Sequence, residues 1–247
     1  MQHIGLNYSR IDPKYQGEKQ MIETQNPTKR VMPTLLHLDS SMRHEGSRSR
    51  ALSAHFAAAW QQAYPDGTVV YRDLAADPIP HLDLTAFSAN FVADDDRTPP
   101  QREARKLTET LANELLQADE IVIGIPLYNF GPPSTLKAWF DRIVVQGLTV
   151  KPGGGGLLGG RPLTFTAARG GGYGPGTPRE GWDHREPWLR HAFSQLGFDD
   201  ILFIHTELTL AREVPQMSGL EELEDKSFAD AHAAVDELFA KRRDIAA

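Results

Sequence analysis

The chain of 247 residues contains no cysteine. That excludes disulfides, thiolate nucleophiles and thiolate metal sites together, so any chemistry has to come from other side chains or from a cofactor. Long apolar runs are also missing: none approaches the roughly 20 residues of a spanning helix, and no membrane association is expected. The N-terminus lacks the apolar core of a signal peptide, which gives a cytoplasmic location as the expectation. Basic excess is absent, with a formal net charge of −7. Nucleic acid is therefore an improbable partner, because its binding is dominated by Lys and Arg neutralising phosphates. The nine histidines are scattered and His44-Glu45 lacks a second His at zinc spacing, so no metal site is expected.

What is present is an ordinary soluble composition, 40% hydrophobic and 24% charged, long enough for one large domain. Residues 1–31 are polar, carry Pro13 and Pro27 and show no periodicity, which reads as a mobile N-terminal arm. A second Met at Met32 stands just before the first strand. From there to residue 247 a single domain is expected, in which apolar strand-like runs alternate with amphipathic helices.

The strands are expected at 34–39, 68–72, 120–125, 162–168 and 201–205. Between them, Leu52, Phe56, Ala59 and Ala63 recur at helical spacing, as do Ala104, Leu107, Leu111 and Leu115 after Thr98-Pro99-Pro100. Further helices are expected around Leu136 to Ile143, at 185–196, and at the end with Phe228, Val235, Leu238 and Phe239 inward. Strands alternating with helices imply an α/β fold with a parallel sheet covered on both faces.

In such sheets ligands sit outside the carboxyl ends of the strands. Three loops leave that edge. Ser40 to Ser49 is rich in hydroxyls and runs into a helix, whose N-terminal amides and dipole favour an anion. Ser41, Ser47 and Ser49 can donate to a phosphate and Arg48 can add charge; a plain helix cap at Ser47 or Ser49 is the competing reading. The second loop, Leu127-Tyr128-Asn129-Phe130, is an aromatic-amide-aromatic segment suited to a flat heteroaromatic ring. The third, Ala168-Arg169-Gly170-Gly171-Gly172, leaves backbone amides uncovered by side chains. Gly154 to Gly159 satisfies a G-x-G-x-x-G pattern, yet neither follows the first strand nor opens a helix, so dinucleotide binding is not expected there.

Ser41-x5-Ser47-x-Ser49, Pro126 to Phe130 and Ala168 to Gly171 together resemble the FMN-dependent NADH-azoreductases, also described as NADH:quinone oxidoreductases. The resemblance runs from about Thr34 to the C-terminal helix and includes Arg72-Asp73-Leu74-Ala75. It implies a flavodoxin-like three-layer sandwich with a five-stranded parallel sheet in the order 2-1-3-4-5. It also implies FMN as cofactor, NADH as electron donor, quinones and aromatic azo compounds as acceptors, and a homodimer. By position, Ser41 and Ser47 to Ser49 would hold the FMN phosphate, and Leu127 to Phe130 would flank the isoalloxazine. Ala168 to Gly171 would bond its pyrimidine edge, with Arg169 a candidate for extra positive charge. Asn129 and Phe130 would line the substrate pocket. The chain departs from the family at Leu127, usually Met, and at Ala168, usually Ser, which removes one side-chain donor.

Because a flavin performs hydride chemistry itself, no nucleophile or base is required of the protein, and a ping-pong mechanism is expected. A flavodoxin-type electron carrier that does not oxidise NADH shares fold and cofactor and stays open as the alternative. A non-flavin domain on the same sheet is not excluded by fold alone.

Overall fold

All seven residues of Glu120–Pro126 (β3) are buried, as expected of a strand with neighbours on both edges and helices on both faces. It is the centre of a five-stranded sheet in the order β2-β1-β3-β4-β5, formed with Thr34–Asp39 (β1), Thr68–Asp73 (β2), Leu163–Ala168 (β4) and Ile201–Thr206 (β5). Every pairing is parallel. The computed structural model describes residues 32–246, and the expectation of an arm over 1–31 lies outside them.

Successive strand residues face opposite sides of the sheet, and the core divides accordingly. Leu35 and Val122 pack with Leu52, Phe56 and Trp60 of Arg48–Ala63 (α1) and with Val235 and Phe239 of Glu221–Ala246 (α6). On the other face, Leu36, Ile121 and Ile123 meet Leu111 and Leu115 of Pro99–Gln117 (α3), Trp139 of Ser134–Ile143 (α4) and Phe193 of Arg185–Gln195 (α5). A short helix, Leu84–Ser88 (α2), lies in the connection after β2, where no helix was expected. With only five residues it is too short to show a periodic stripe.

Local signals set the helix ends. The side chain of Ser47 accepts from Arg50 N–H and caps α1, and Pro65 follows soon after its last residue. The Thr98 amide donates to Gln101 Oε1 at 2.9 Å, and Pro99 occupies the first position of α3, where its missing N–H costs nothing. Gly154 to Gly159 falls in the segment joining α4 to β4 and opens no helix.

Two registers position the loops. Asp39 at the end of β1 lies opposite Gly124, and Pro126 lies opposite Ala168, so β3 and β4 release their loops at the same level.

Candidate functional site

The serine loop begins by folding onto β3. Ser40 donates both its amide and its hydroxyl to Gly124 O, at 3.0 and 2.9 Å. Ser41 Oγ lies 3.3 Å from Tyr128 Oη, which also accepts from Met42 N–H at 3.3 Å. One phenol thus joins the first loop to the second. Farther along, the amides of Arg48 and Ser49 in the first turn of α1 donate to no group among the described residues. Unpaired first-turn amides, the positive end of the helix and the hydroxyls of Ser47 and Ser49, 3.3 Å apart, form a set of donors for an anion.

The second loop is a two-residue reversal. Tyr128 and Gly131 exchange backbone hydrogen bonds of 3.1 and 3.0 Å, and the residues between them, Asn129 and Phe130, have φ of +46° and +66°. Left-handed backbone at both central positions matches a type I′ turn. Asn adopts it readily; a bulky Phe does so at a cost of roughly 1–2 kcal/mol. Strain of this kind is retained where the surroundings impose it, commonly at functional sites. Here His184 N–H holds Phe130 O at 3.0 Å, and the Trp182 ring meets the Phe130 ring edge to face at 5.5 Å. Both rings are exposed, 37% for Phe130 and 54% for Trp182, so an apolar corner faces outward.

Leu127 N–H donates to Ala168 O at 2.8 Å, which joins the second loop to the third. In the third, the carbonyls of Arg169, Gly170 and Gly171 accept from Thr209, Leu210 and Leu208 N–H at 3.1, 3.2 and 3.3 Å. A trans peptide points its N–H opposite to its C=O. Covering those carbonyls therefore turns the amides of Gly170 and Gly171 away from the β5–α6 connection, and they donate to no group among the described residues. A Cβ at Gly170 would lie 2.6 Å from Leu210 Cδ1, so a side chain there would collide with the covering segment.

Two candidate arginines have partners that the sequence does not announce. Arg48 directs its guanidinium to Glu224 Oε1, at 2.8 and 3.1 Å, and lies over the Phe228 ring. Arg169 is spent on Asp183, Glu207 and Glu186 at 2.8, 3.0 and 3.3 Å. In each case a carboxylate from another stretch of chain pairs the guanidinium, which offsets the cost of partly burying a cation. The backbone amide of Arg48 stays without a partner among the described residues. A cleft of about 520 Å³ flanks the serine loop on that side, lined by Ser47, Arg48, Thr209, Arg212 and Phe228 among others.

Arg50 was not singled out by the sequence, yet it shapes the serine loop. Its guanidinium donates to Ser41 O at 3.2 and 2.5 Å and forms a two-pronged pair with Asp73 at 2.7 Å on each side. A signal existed: Asp73 ends the strand beside β1, within reach of a residue one turn into α1. Below lies Asp39, 3% exposed, accepting from Ser53 Oγ at 2.8 Å and Tyr71 Oη at 3.1 Å. Burial pushes its carboxyl up to about 6, against the donors and Arg50, while burial and Arg50 push His37 down to about 4.

These two groups oppose each other in pH dependence. His37 takes a proton in the unfolded chain near 6.5 and in the folded one near 4, so stability falls as pH drops through that window. Asp39 binds its proton more tightly when folded, so stability rises as pH drops from about 6 through 3.8. Each amounts to about 3 kcal/mol, and they largely cancel. Between pH 6.5 and 4 the D39N variant is expected to lose on the order of 3 kcal/mol more than the unmodified protein loses over the same window. Urea unfolding at a series of pH values checks this.

The three loops thus converge beside the point where strand order reverses, between β1 and β3, which is the mononucleotide site of 2-1-3-4-5 sheets. A flavodoxin-like fold model matches residues 33–229. The FMN-dependent NADH:quinone oxidoreductase of Frankia casuarinae is 46% identical over 204 residues, covering 82% of this chain and 97% of that protein. The chain belongs to this family. The enzyme of the same name from Streptomyces avermitilis is 43% identical over 216 residues, covering 87% of this chain and 98% of its own. Among solved structures, the azoreductase AzrA superposes with a TM-score of 0.73 at 23% identity, over 84% of this chain and 99% of that one. An FMN-dependent NADH-azoreductase from Bacillus anthracis, in complex with FMN, superposes at 0.71 with 22% identity, over 84% and 99%. At that identity the likeness concerns the fold, in which this family member carries all the elements the sequence predicted.

FMN fits what the site offers. Hydroxyls and free helix amides suit its phosphate, an aromatic turn suits its ring, and the free glycine amides suit a hydrogen-bond-accepting edge.

Proposed function

We propose that the protein is an FMN-dependent NADH:quinone oxidoreductase that also reduces aromatic azo compounds, by two-electron steps in a ping-pong cycle. The observation that carries this reading is the pairing of free donor sets, at the serine loop and at Gly170–Gly171, across the strained Asn129–Phe130 turn. When bound, FMN supplies hydride acceptance from NADH and electron delivery to the acceptor.

The chain's own part is binding and preorganisation. Ser41, Ser47, Ser49 and the first-turn amides hold the phosphate. Gly170 and Gly171 N–H groups aim fixed dipoles at the edge where negative charge accumulates on reduction, a placement that needs no reorganisation during the reaction. Leu127 and Tyr128 shape the ring's seat, and Asn129 and Phe130 wall the face where donor and acceptor bind in turn. Cleaving an azo bond to two amines takes four electrons, hence two such cycles.

We assign the protein a homodimeric state and a cytoplasmic location. The exposed side chains of Leu84, Phe87 and Phe91 support a partner surface, since contiguous apolar exposure is uncommon on monomers. NADH as donor supports the location.

Anaerobic stopped-flow mixing tests the reading. The FMN-loaded protein is expected to bleach on NADH and to recover its colour on adding a quinone or an azo dye, with parallel double-reciprocal lines in steady state. An electron carrier would not bleach with NADH. The Phe130–Trp182 corner gives a narrower prediction. W182A is expected to raise the KM for a two-ring quinone about three- to tenfold, from an aromatic contact of roughly 0.5–1.5 kcal/mol, while oxidised FMN binds as before. Steady-state kinetics and a flavin titration decide it.

A further inference from the structure

Arg185, the first residue of α5, is fully buried. Its Nη1 donates to Ile125 O at 3.0 Å and to Ala168 O at 3.1 Å. Its Nη2 donates to Asp183 Oδ2 at 3.0 Å, the oxygen that also takes Arg169 Nε at 2.8 Å. The two carbonyls belong to the penultimate residue of β3 and the last residue of β4, just before Leu127–Phe130 and Arg169–Gly171 leave the sheet. One guanidinium therefore spans the gap between the roots of both loops. Asp183 is shared with a second cation, and Arg169 in turn is answered by Glu186 and Glu207, so the nearest direct carboxylate partner of Arg185 is a divided one. Burial lowers Arg185 to about 10, which leaves it a cation at neutral pH.

We propose that Arg185 is the positioning residue of this site: it fixes the spacing of the two loops that flank the ring, and its buried charge favours the two-electron-reduced cofactor over the oxidised one. The inference rests on the FMN reading above. Its logic is electrostatic and geometric. Hydride addition leaves the ring with one more negative charge, and a buried cation that shares its carboxylate with a second arginine favours that charge relative to a neutral side chain in its place. The planar fork reaches two carbonyls and a carboxylate in one pose, which a lysine ammonium on a flexible stem does not reproduce.

The test compares R185M and R185K with the unmodified holoprotein, measuring the dissociation constant of oxidised FMN by fluorescence quenching and the midpoint potential by dye equilibration. R185M is expected to bind oxidised FMN about tenfold more weakly and reduced FMN weaker by a further tenfold, equivalent to a fall of about 30 mV in potential. R185K is expected to share the loss for oxidised FMN and to keep the ratio of the two affinities. A folded R185M with both affinities within twofold of the unmodified protein overturns the proposal, as does an equal change of ratio in both variants. If R185M does not fold, R185K decides the spacing, through oxidised-FMN affinity at unchanged circular dichroism. D183N then decides the charge: relieving Arg185 of its carboxylate raises the reduced-to-oxidised affinity ratio at least threefold, and an unchanged or lower ratio overturns it. Absence of FMN binding by the unmodified protein would strike the functional reading itself and is seen before any variant is made.

Discussion

Alanine at both Ser47 and Ser49 is expected to weaken FMN binding a hundredfold or more while riboflavin, which lacks the phosphate, binds as before. Hydroxyls donating to a charged oxygen contribute about 1.5–3 kcal/mol each, and two of them reach the 2.7 kcal/mol that a hundredfold requires, at roughly 1.4 kcal/mol per decade. Ser47 has a second duty, because its Oγ accepts from Arg50 N–H and caps α1. Its removal also costs about 1 kcal/mol of stability. The capping and ligand readings of this serine are therefore compatible, and the comparison separates them: loss of a helix cap lowers the melting temperature, whereas loss of a phosphate ligand narrows the gap in affinity between FMN and riboflavin. Titrating both flavins into each protein shows which applies.

A single methyl group at Gly124 is expected to do more damage than the loss of either serine. The Cβ of G124A would fall 2.1 Å from Asp39 Oδ1, 2.9 Å from Ser53 Oγ and 3.2 Å from the Ser49 carbonyl. None of these has room to withdraw. Asp39 is buried and held by Ser53 and Tyr71, and Gly124 O is the anchor for Ser40. Overpacking a core costs typically 1–3 kcal/mol, and displacing a hydrogen-bonded buried carboxyl group puts this case at about 3 or above. For a domain of this size that is a fall of about 6–12 °C in Tm. Because β1 and β3 are forced apart where the serine loop starts, FMN affinity is expected to fall with it. Thermal unfolding with and without FMN measures both effects.

Gly124 and the two serines also show what was legible in the sequence. The uninterrupted apolar run at 121–125 marked a doubly covered central strand, but not the buried oxygens of Asp39, Ser53 and Ser49 that make its glycine intolerant of a side chain. The strands expected at 34–39, 68–72, 162–168 and 201–205 were equally clear, since each is bounded by turn residues and separated from the next by a helical stripe, and the observed bounds lie within one residue of these. The serine, tyrosine-asparagine and glycine segments were recognisable because a strand end followed by donors or aromatics is a local pattern.

Partnerships across long stretches of chain were not legible. Nothing beside Arg48 announces Glu224, and nothing beside Arg169 announces Glu207, so charges that look free in the sequence are committed in the fold. The same blindness hid the arginines that matter. Arg50 reaches back to Ser41 O and across to Asp73, and Arg185 reaches two carbonyls of different strands; in sequence both resemble any helical arginine. Backbone direction was hidden too. That the amides of Gly170 and Gly171 point outward follows from where residues 208–210 pass, some forty positions later.

The claim on which the rest depends is that three separated segments close around one FMN. Amide hydrogen exchange of the protein with and without FMN tests it most directly. Protection on binding is expected in 41–49, 127–131 and 168–172 together, at one FMN per chain, with little change in the far end of the sheet. Protection confined to one of these segments, or centred elsewhere, would contradict the account.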